Sequence, residues 1–427
     1  MKHGTYDFLT RHGMHFDAID IERGTAEFAD EMRRGLSGNG SSLLMIPTYI
    51  GVSGSVPQNK PVIVMDAGGT NFRIATVRFD ESGSARIDNF NKYPMPGTNG
   101  ELGFDEFFDT LAGFIEPISG VSDTVGFCFS FPTEILPNCD GRLMAFNKEV
   151  RVRDSAGCVL GENINRALAR RGLDKKRFII LNDTVATMLG GIAGAGGENY
   201  ESYIGFILGT GTNTCYVERA ENILKLSGIS GEMAINMESG GFDRFARGDY
   251  DLAMDAGCDN TGDHQYEKMV SGAYQGKVIY LTLLGAADEG LLSGTCGERL
   301  RDAGELTMRD IDCFCEDRNS GMLADCCCTQ NDRDTVYEII DASFERAARE
   351  VCVNFAGILE CTGMGKDSSR PVCISAEGTT FYKSVLFRPK LDKYVREFIN
   401  GQMGRHIVFA KSEDATLIGS AVAGLMN

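Results

Sequence analysis

Nowhere in this chain do about 18 apolar residues follow one another, and the opening MKHGTYDFLTRHGMHFDAID has no apolar core, so neither a spanning helix nor a secretory leader is expected. A cytosolic location is the expectation that follows. Positive charge is also short, with 42 Lys+Arg against 60 Asp+Glu and a net charge of −18. Such a field repels nucleic-acid backbones and anionic membrane surfaces, so neither is an expected partner. Any polyanionic ligand must then be held by local backbone dipoles and a metal ion. Proline is scarce, 10 against 52 glycines, and 43% of residues are apolar, which fits a globular chain rather than a disordered or collagenous one. At 427 residues it has room for about two or three domains.

Two further absences narrow the chemistry. The 14 cysteines include a cluster from Cys296 to Cys328, but no C-x-x-C pair occurs and no histidine lies between Gly290 and Thr335. That spacing argues for free thiols over zinc. No GK[ST] follows any glycine-rich turn, which excludes a P-loop.

What the sequence does contain is an echo. PVIVMDAGGTNFRIATVRF from Pro61 and YIGFILGTGTNTCYVE from Tyr203 each read as β-rich run, Gly/Thr turn ending in Thr-Asn, and second β-rich run. In a Rossmann site the glycines would open a helix, whereas FRIATVRF and TCYVE predict strands. Two such hairpins, each starting a βαβ-rich half, predict a duplicated α/β architecture with a cleft between the halves. Glycines remove side chains so that N–H groups and the Thr70 hydroxyl can approach phosphates, and Asp66 is placed to hold a hydrated Mg²⁺. Thr210 and Gly211 offer the same from the second hairpin.

RFIILNDTVATMLGGIAG from Arg177 predicts a buried strand ending in Asn182-Asp183-Thr184, then a helix. Asp183 is the candidate acid/base residue, beside the ordinary reading of such an Asp as the cap of the following helix. Ser130, Lys148, Asn213, Glu238 and Glu267 also end or flank strands, a polar set suited to a polyhydroxylated ligand. Near the C-terminus, Thr335 and Glu338 sit at capping-box spacing and predict a long amphipathic helix starting there. The stretch from Ser293 to Asp334 shows little periodicity.

These residues resemble the hexokinase and glucokinase family of sugar kinases. The similarity runs through SSLLMIPTYI at Ser41, VMDAGGTNFR at Val64, GFCFSFP at Gly126, NDTVATML at Asn182, GFILGTGTNTCYVE at Gly205, INMESGGF at Ile235 and YEKMVSGAYQGKV at Tyr266, with weaker echoes at Ser375 and Ser412. The resemblance implies a two-domain, actin-like (ribonuclease H-like) α/β ATPase fold with a cleft between a small domain (61–183 plus 413–427) and a large one (1–60 plus 184–412). It implies an ATP-dependent hexose kinase that transfers the γ-phosphoryl of MgATP to the sugar 6-hydroxyl. Asp183 would be the base and Lys148 its electrostatic partner. Ser130, Asn147, Lys148, Asn182, Asp183, Asn213, Glu238, His264 and Glu267 would hold the hexose. Asp66, Gly69, Thr70, Asn71, Thr210, Gly211, Glu377, Gly378 and Ser412 would hold the nucleotide, with Asp66 reaching Mg²⁺ through water. The chain departs from the family pattern at Asn147, where the family has Thr, at His264, where it has Gln, and at Ser239, where it has Trp; tryptophan is absent altogether. A kinase of the same fold for another polyol or amino sugar, or a non-catalytic sugar sensor, are the alternatives.

Overall fold

A computed structural model describes residues 1–146, 150–194 and 198–427. Among the described residues the strands are β1 (Ile46–Gly51), β2 (Val62–Ala67), β3 (Asn71–Phe79), β4 (Ala85–Pro94), β5 (Thr124–Phe129), β6 (Thr133–Ile135), β7 (Gly141–Leu143), β8 (Arg177–Leu181), β9 (Ser202–Leu208), β10 (Thr212–Arg219), β11 (Glu232–Asn236), β12 (Val372–Glu377) and β13 (Ile407–Ala410). They form a five-stranded sheet in the order β4-β3-β2-β5-β8, a six-stranded sheet in the order β1-β11-β10-β9-β12-β13, and the small β6-β7 ribbon.

Each expected glycine hairpin is the antiparallel start of one large sheet. β2 pairs with β3 through Ala67↔Phe72, and β9 with β10 through Leu208↔Thr212. Both sheets then continue in parallel, β2 with β5 and β8, and β9 with β12 and β13. Parallel strands are buried on both faces, which is why β2 and β5 read as nearly unbroken apolar runs. Parallel strand ends are also where α/β folds gather their ligands.

Three apolar clusters hold this frame. One surrounds the long helix Gln330–Thr362, and one fills the outer face of the five-stranded sheet. The third joins Val64, Cys128 and Leu181 of the five-stranded sheet to Cys215, Val217 and Ala234 of the other through two intervening helices, Asp183–Gly194 and Ala415–Met426. The Asp183 helix therefore starts where the two halves meet.

Two expectations shift. The long helix begins at Gln330, with Thr329 as its cap, not at Thr335, which is buried inside it. Thr329 Oγ1 accepts the Asp332 N–H (3.1 Å) and Asp332 Oδ2 accepts the Thr329 N–H (2.9 Å), so the capping box is Thr-x-x-Asp, well before the expected Thr335. Asp332 also accepts from Ser293 N and Oγ, a tertiary tie that no local pattern reveals. The weakly periodic stretch contains three short helices, Gly294–Ala303, Met308–Glu316 and Met322–Cys326, and all fourteen cysteines are free thiols.

Glu345 on the long helix accepts from Lys390 Nζ (2.9 Å), Lys393 Nζ (3.2 Å) and the Tyr394 hydroxyl of helix Phe387–Tyr394. Burial pushes its carboxyl up, but these donors outweigh burial and bring it from an ordinary 4.5 to about 2. A depressed folded pKa gives stability that is present above the unfolded value and lost as pH falls towards the folded one. Glu345→Gln is thus expected to lower unfolding free energy by about 2 kcal/mol at pH 7. The difference from the parent should shrink between pH 4.5 and about 2. Denaturant titrations across that window check it, and an undiminished difference at the acid end would refute it.

Candidate functional site

β2 delivers Asp66 buried at its end, and the Gly68-Gly69-Thr70 turn closes with Gly68 N donating to Asn71 O (3.0 Å), leaving Thr70 and Asn71 exposed. Asp66 Oδ2 accepts from Arg73 Nε (2.8 Å), Arg73 Nη2 and Thr416 Oγ1 (3.2 Å). Arg73 Nη2 also donates to Thr416 Oγ1 (2.8 Å), and its Nη1 lies 3.6 Å from Asp414 Oδ1. The first hairpin is thereby fastened to the start of the C-terminal helix. Arg73 and Thr416 were missed in the sequence; the only signal was the hairpin register, which sets Asp66 opposite Arg73.

The second hairpin is clamped from behind. Gly209 O accepts from Gly272 N (2.8 Å) and Thr380 Oγ1 (3.1 Å), and Thr210 O accepts from Ala273 N (3.1 Å). Its glycine at 211 is steric: a Cβ there would stand 2.5 Å from Glu267 Oε2, the atom that accepts Thr212 N–H at 2.9 Å. Gly378, at φ 115°, lies so close over β9 that a Cβ would be 2.1 Å from Leu208 O. Glu377 ends β12, and burial pushes its carboxyl up against the pull of Lys411 and Arg73, with Asp414 adding to the rise. One half-buried carboxylate thus senses the first hairpin's arginine while its neighbour Gly378 rests on the second hairpin. Ser412 is half-buried, its hydroxyl 3.4 Å from Glu413 O.

Between the hairpins stands the Asp183 helix. Asn182 Oδ1 accepts the Thr184 N–H (2.8 Å) and Asn182 O the Ala186 N–H (2.9 Å), so Asn182 caps this helix and the capping role considered for Asp183 is already filled. Asp183 lies in the first turn, where N–H dipoles favour a negative charge, and its Oδ1 accepts from Thr184 Oγ1 (3.3 Å). Cys128, opposite Asp66 in the β2–β5 register, is fully buried; burial, Asp66 and Asp183 all push its thiol up, so both carboxylates lie near one side chain.

The sugar-pocket candidates converge from three elements. Glu238 holds a left-handed backbone (φ 53°) and its Oε1 accepts from Asn236 Nδ2 (2.7 Å) and Asn213 Nδ2 (3.3 Å). Burial pushes the Glu238 carboxyl up; the Asn236 hydrogen bond opposes this, the charges of Asp183 and Glu267 add to it, and His264 pulls it back. Four of the expected residues therefore act on one carboxyl group. His264, also left-handed (φ 51°), caps helix Gln265–Val270 at the end of a loop fixed by buried Asp255. Asp255 accepts from Gly262 N (3.1 Å), Arg247 Nη1 (2.9 Å) and Lys268 Nζ (2.6 Å). Asn236 and Asp255 carried no sequence signal beyond their neighbours. Ser130 follows β5 with its N–H on Ala67 O (3.1 Å), beside the first hairpin. Asn147 and Lys148 lie outside the described residues.

Mg²⁺ bound with ATP usually keeps several waters and takes only one or two protein carboxylates, so a dedicated cage is not required of the site. Among the described residues no group of three or more His, Cys, Asp or Glu is arranged to hold a metal ion. Asp66 Oδ2 is occupied by Arg73 and Thr416, and the carboxyl also hydrogen-bonds the Cys128 thiol, so a hydrated ion would be reached through water rather than by direct ligation.

The chain matches two family models described as hexokinase, over residues 10–193 and 203–426. It is 30% identical to hexokinase-1 of Spinacia oleracea, over 92% of this chain and 84% of that protein. It is 29% identical to human hexokinase-2, over 92% of this chain and 45% of that longer protein. A hexokinase from Schistosoma mansoni solved with glucose superposes at a TM-score of 0.78 with 24% identity, covering 98% of this chain and 99% of that one. The two sheets and the helices packed between them are those of the two-domain, actin-like class of sugar kinases. The chain belongs to the hexokinase family, enzymes that phosphorylate hexoses with ATP.

Proposed function

We propose that this enzyme transfers the γ-phosphoryl of MgATP to the 6-hydroxyl of a glucose-, mannose- or fructose-type sugar, with Asp183 as general base. The observation that carries the reading is the half-buried Glu238 carboxyl, which accepts from Asn213 and feels the charges of Asp183, Glu267 and His264, next to a hairpin whose Gly211 has no room for a side chain. Asn213, Asn182, Ser130, Glu238, Glu267 and His264 hold sugar hydroxyls, each of which both donates and accepts and so suits this mixture of amides, carboxylates, a hydroxyl and an imidazole. Asn147 and Lys148 complete that set, Lys148 as the electrostatic partner of Asp183.

Gly69, Thr70, Asn71, Thr210 and Gly211 line the phosphates, and Glu377, Gly378 and Ser412 border the adenosine. Backbone dipoles bind the polyphosphate locally despite a net charge of −18. Asp66 holds Mg²⁺ through water; the ion, when bound, neutralises charge on the phosphates. Asp183 accepts the proton of the 6-hydroxyl as that oxygen attacks, helped by its place at a helix start. Sugar binding closes the small domain (61–183 plus 413–427) on the large one (1–60 plus 184–412), which excludes water from the γ-phosphoryl. This division is supported by the sheets, since the five-stranded one lies within 62–181 and the six-stranded one draws on 46–51 and 202–410.

Mg²⁺-dependent ADP release, measured by a coupled assay with a panel of hexoses, tests the proposal. Glucose or mannose should stimulate release; a folded protein that no hexose stimulates would refute it.

A further inference from the structure

Behind the pocket a chain of buried polar side chains runs from the long helix to Glu238. Asn354, fully buried, donates from Nδ2 to Thr214 Oγ1 (2.7 Å). Thr214 Oγ1 lies 3.0 Å from Ser239 Oγ, and both residues are fully buried. The backbone N–H groups of these same two residues converge on one acceptor, Asn213 Oδ1, at 2.7 Å from Thr214 and 3.2 Å from Ser239. Asn213 spends its Nδ2 on Asn236 Oδ1 (2.8 Å) and Glu238 Oε1 (3.3 Å).

Packing three polar side chains where apolar ones would fit costs desolvation that the hydrogen bonds only offset. The arrangement coincides with a backbone that needs holding. Glu238 is a non-glycine residue in the left-handed region, a conformation that persists only when its surroundings fix it. Ser239, next in sequence, is fixed at its N–H by Asn213 and at its hydroxyl by Thr214, which Asn354 holds in turn.

We propose that Asn354, acting through Thr214 and Ser239, is a positioning residue for the sugar pocket: it fixes the left-handed turn that aims Glu238 and orients the Asn213 amide. The proposal rests on the reading of Glu238 and Asn213 as hexose-binding residues. On that reading these groups bind hydroxyls other than the 6-hydroxyl, so loosening them weakens hexose binding in ground and transition states alike.

Asn354→Leu and Thr214→Val remove the two links with little change of volume. Each is expected to raise the hexose KM about tenfold, with kcat and the KM for MgATP changed by no more than about twofold. Thr214→Ser, which keeps the hydroxyl, should restore the parent value. Unchanged hexose KM in variants that melt cooperatively would overturn the proposal, as would a parallel loss in kcat and both KM values accompanied by a lowered melting temperature. If Asn354→Leu does not fold, Thr214→Val against Thr214→Ser decides the same question. Glu238→Gln is measured alongside. If it too leaves hexose KM unchanged, the pocket reading is what fails; if it weakens hexose binding while the Asn354 and Thr214 variants do not, only the positioning role is lost.

Discussion

Asp183→Asn is expected to lower kcat by about 10² to 10⁴, equivalent to roughly 3 to 5 kcal/mol of barrier, with folding preserved. The structure makes this substitution cleaner than the sequence alone allowed. Asn182 already caps the helix, so the change removes a carboxylate from the first turn without removing the cap. The helix itself loses a favourable charge–dipole interaction, about 0.3 to 1 kcal/mol. An amide cannot take up the hydroxyl proton, yet its oxygen still accepts the hydrogen bond, so hexose KM should move far less than kcat. A variant retaining more than about a tenth of the parent kcat would remove Asp183 from the role of base.

The second large effect lies in the core. Arg346 on the long helix is fully buried and forks onto Asp251, Nη1 to Oδ2 at 2.7 Å and Nη2 to Oδ1 at 2.6 Å. Asp251 also accepts the Gly248 N–H (2.8 Å), and Glu350 lies 3.8 Å from Arg346 Nε. Burial pushes the Glu350 carboxyl up to about 8; Arg346 pulls it down and Asp251 pushes it up, so its proton depends on this arginine. Arg346→Met leaves Asp251 buried without its counter-charge, and the expected loss is about 3 to 5 kcal/mol of stability. Arg346→Met combined with Asp251→Leu should recover a large part of that loss, because removing both charges also removes their desolvation. Chemical denaturation of the three proteins measures it. A single variant as stable as the double would show that the pair does not hold the fold as argued.

Much of the site was legible because its pieces are local. Each hairpin announced itself by glycines between β-rich runs, and both runs proved to be strands meeting at those glycines. Asp183 could be placed at a strand end because FIIL is short and apolar and a helix pattern follows. What escaped was every partner brought in from far along the chain. Arg73 sits in a run that reads only as strand, yet Asp414 and Thr416, at the cap and in the first turn of the C-terminal helix, make it the fastening of the first hairpin. Asn354 looked like one more position on an amphipathic helix, and only the fold puts it against Thr214. The start of that helix was misjudged for a related reason: Asp332 is recruited both as capping partner and as acceptor for Ser293.

The central claim is that sugar, not water, receives the phosphoryl group. Phosphorus NMR of the protein with glucose and MgATP reads this directly. The account predicts that the γ-phosphate signal of ATP is replaced by that of a sugar 6-phosphate in step with ADP, and that Asp183→Asn slows both together. Inorganic phosphate accumulating in place of the sugar phosphate, or ATP left intact by folded protein with Mg²⁺ and hexose present, would contradict it.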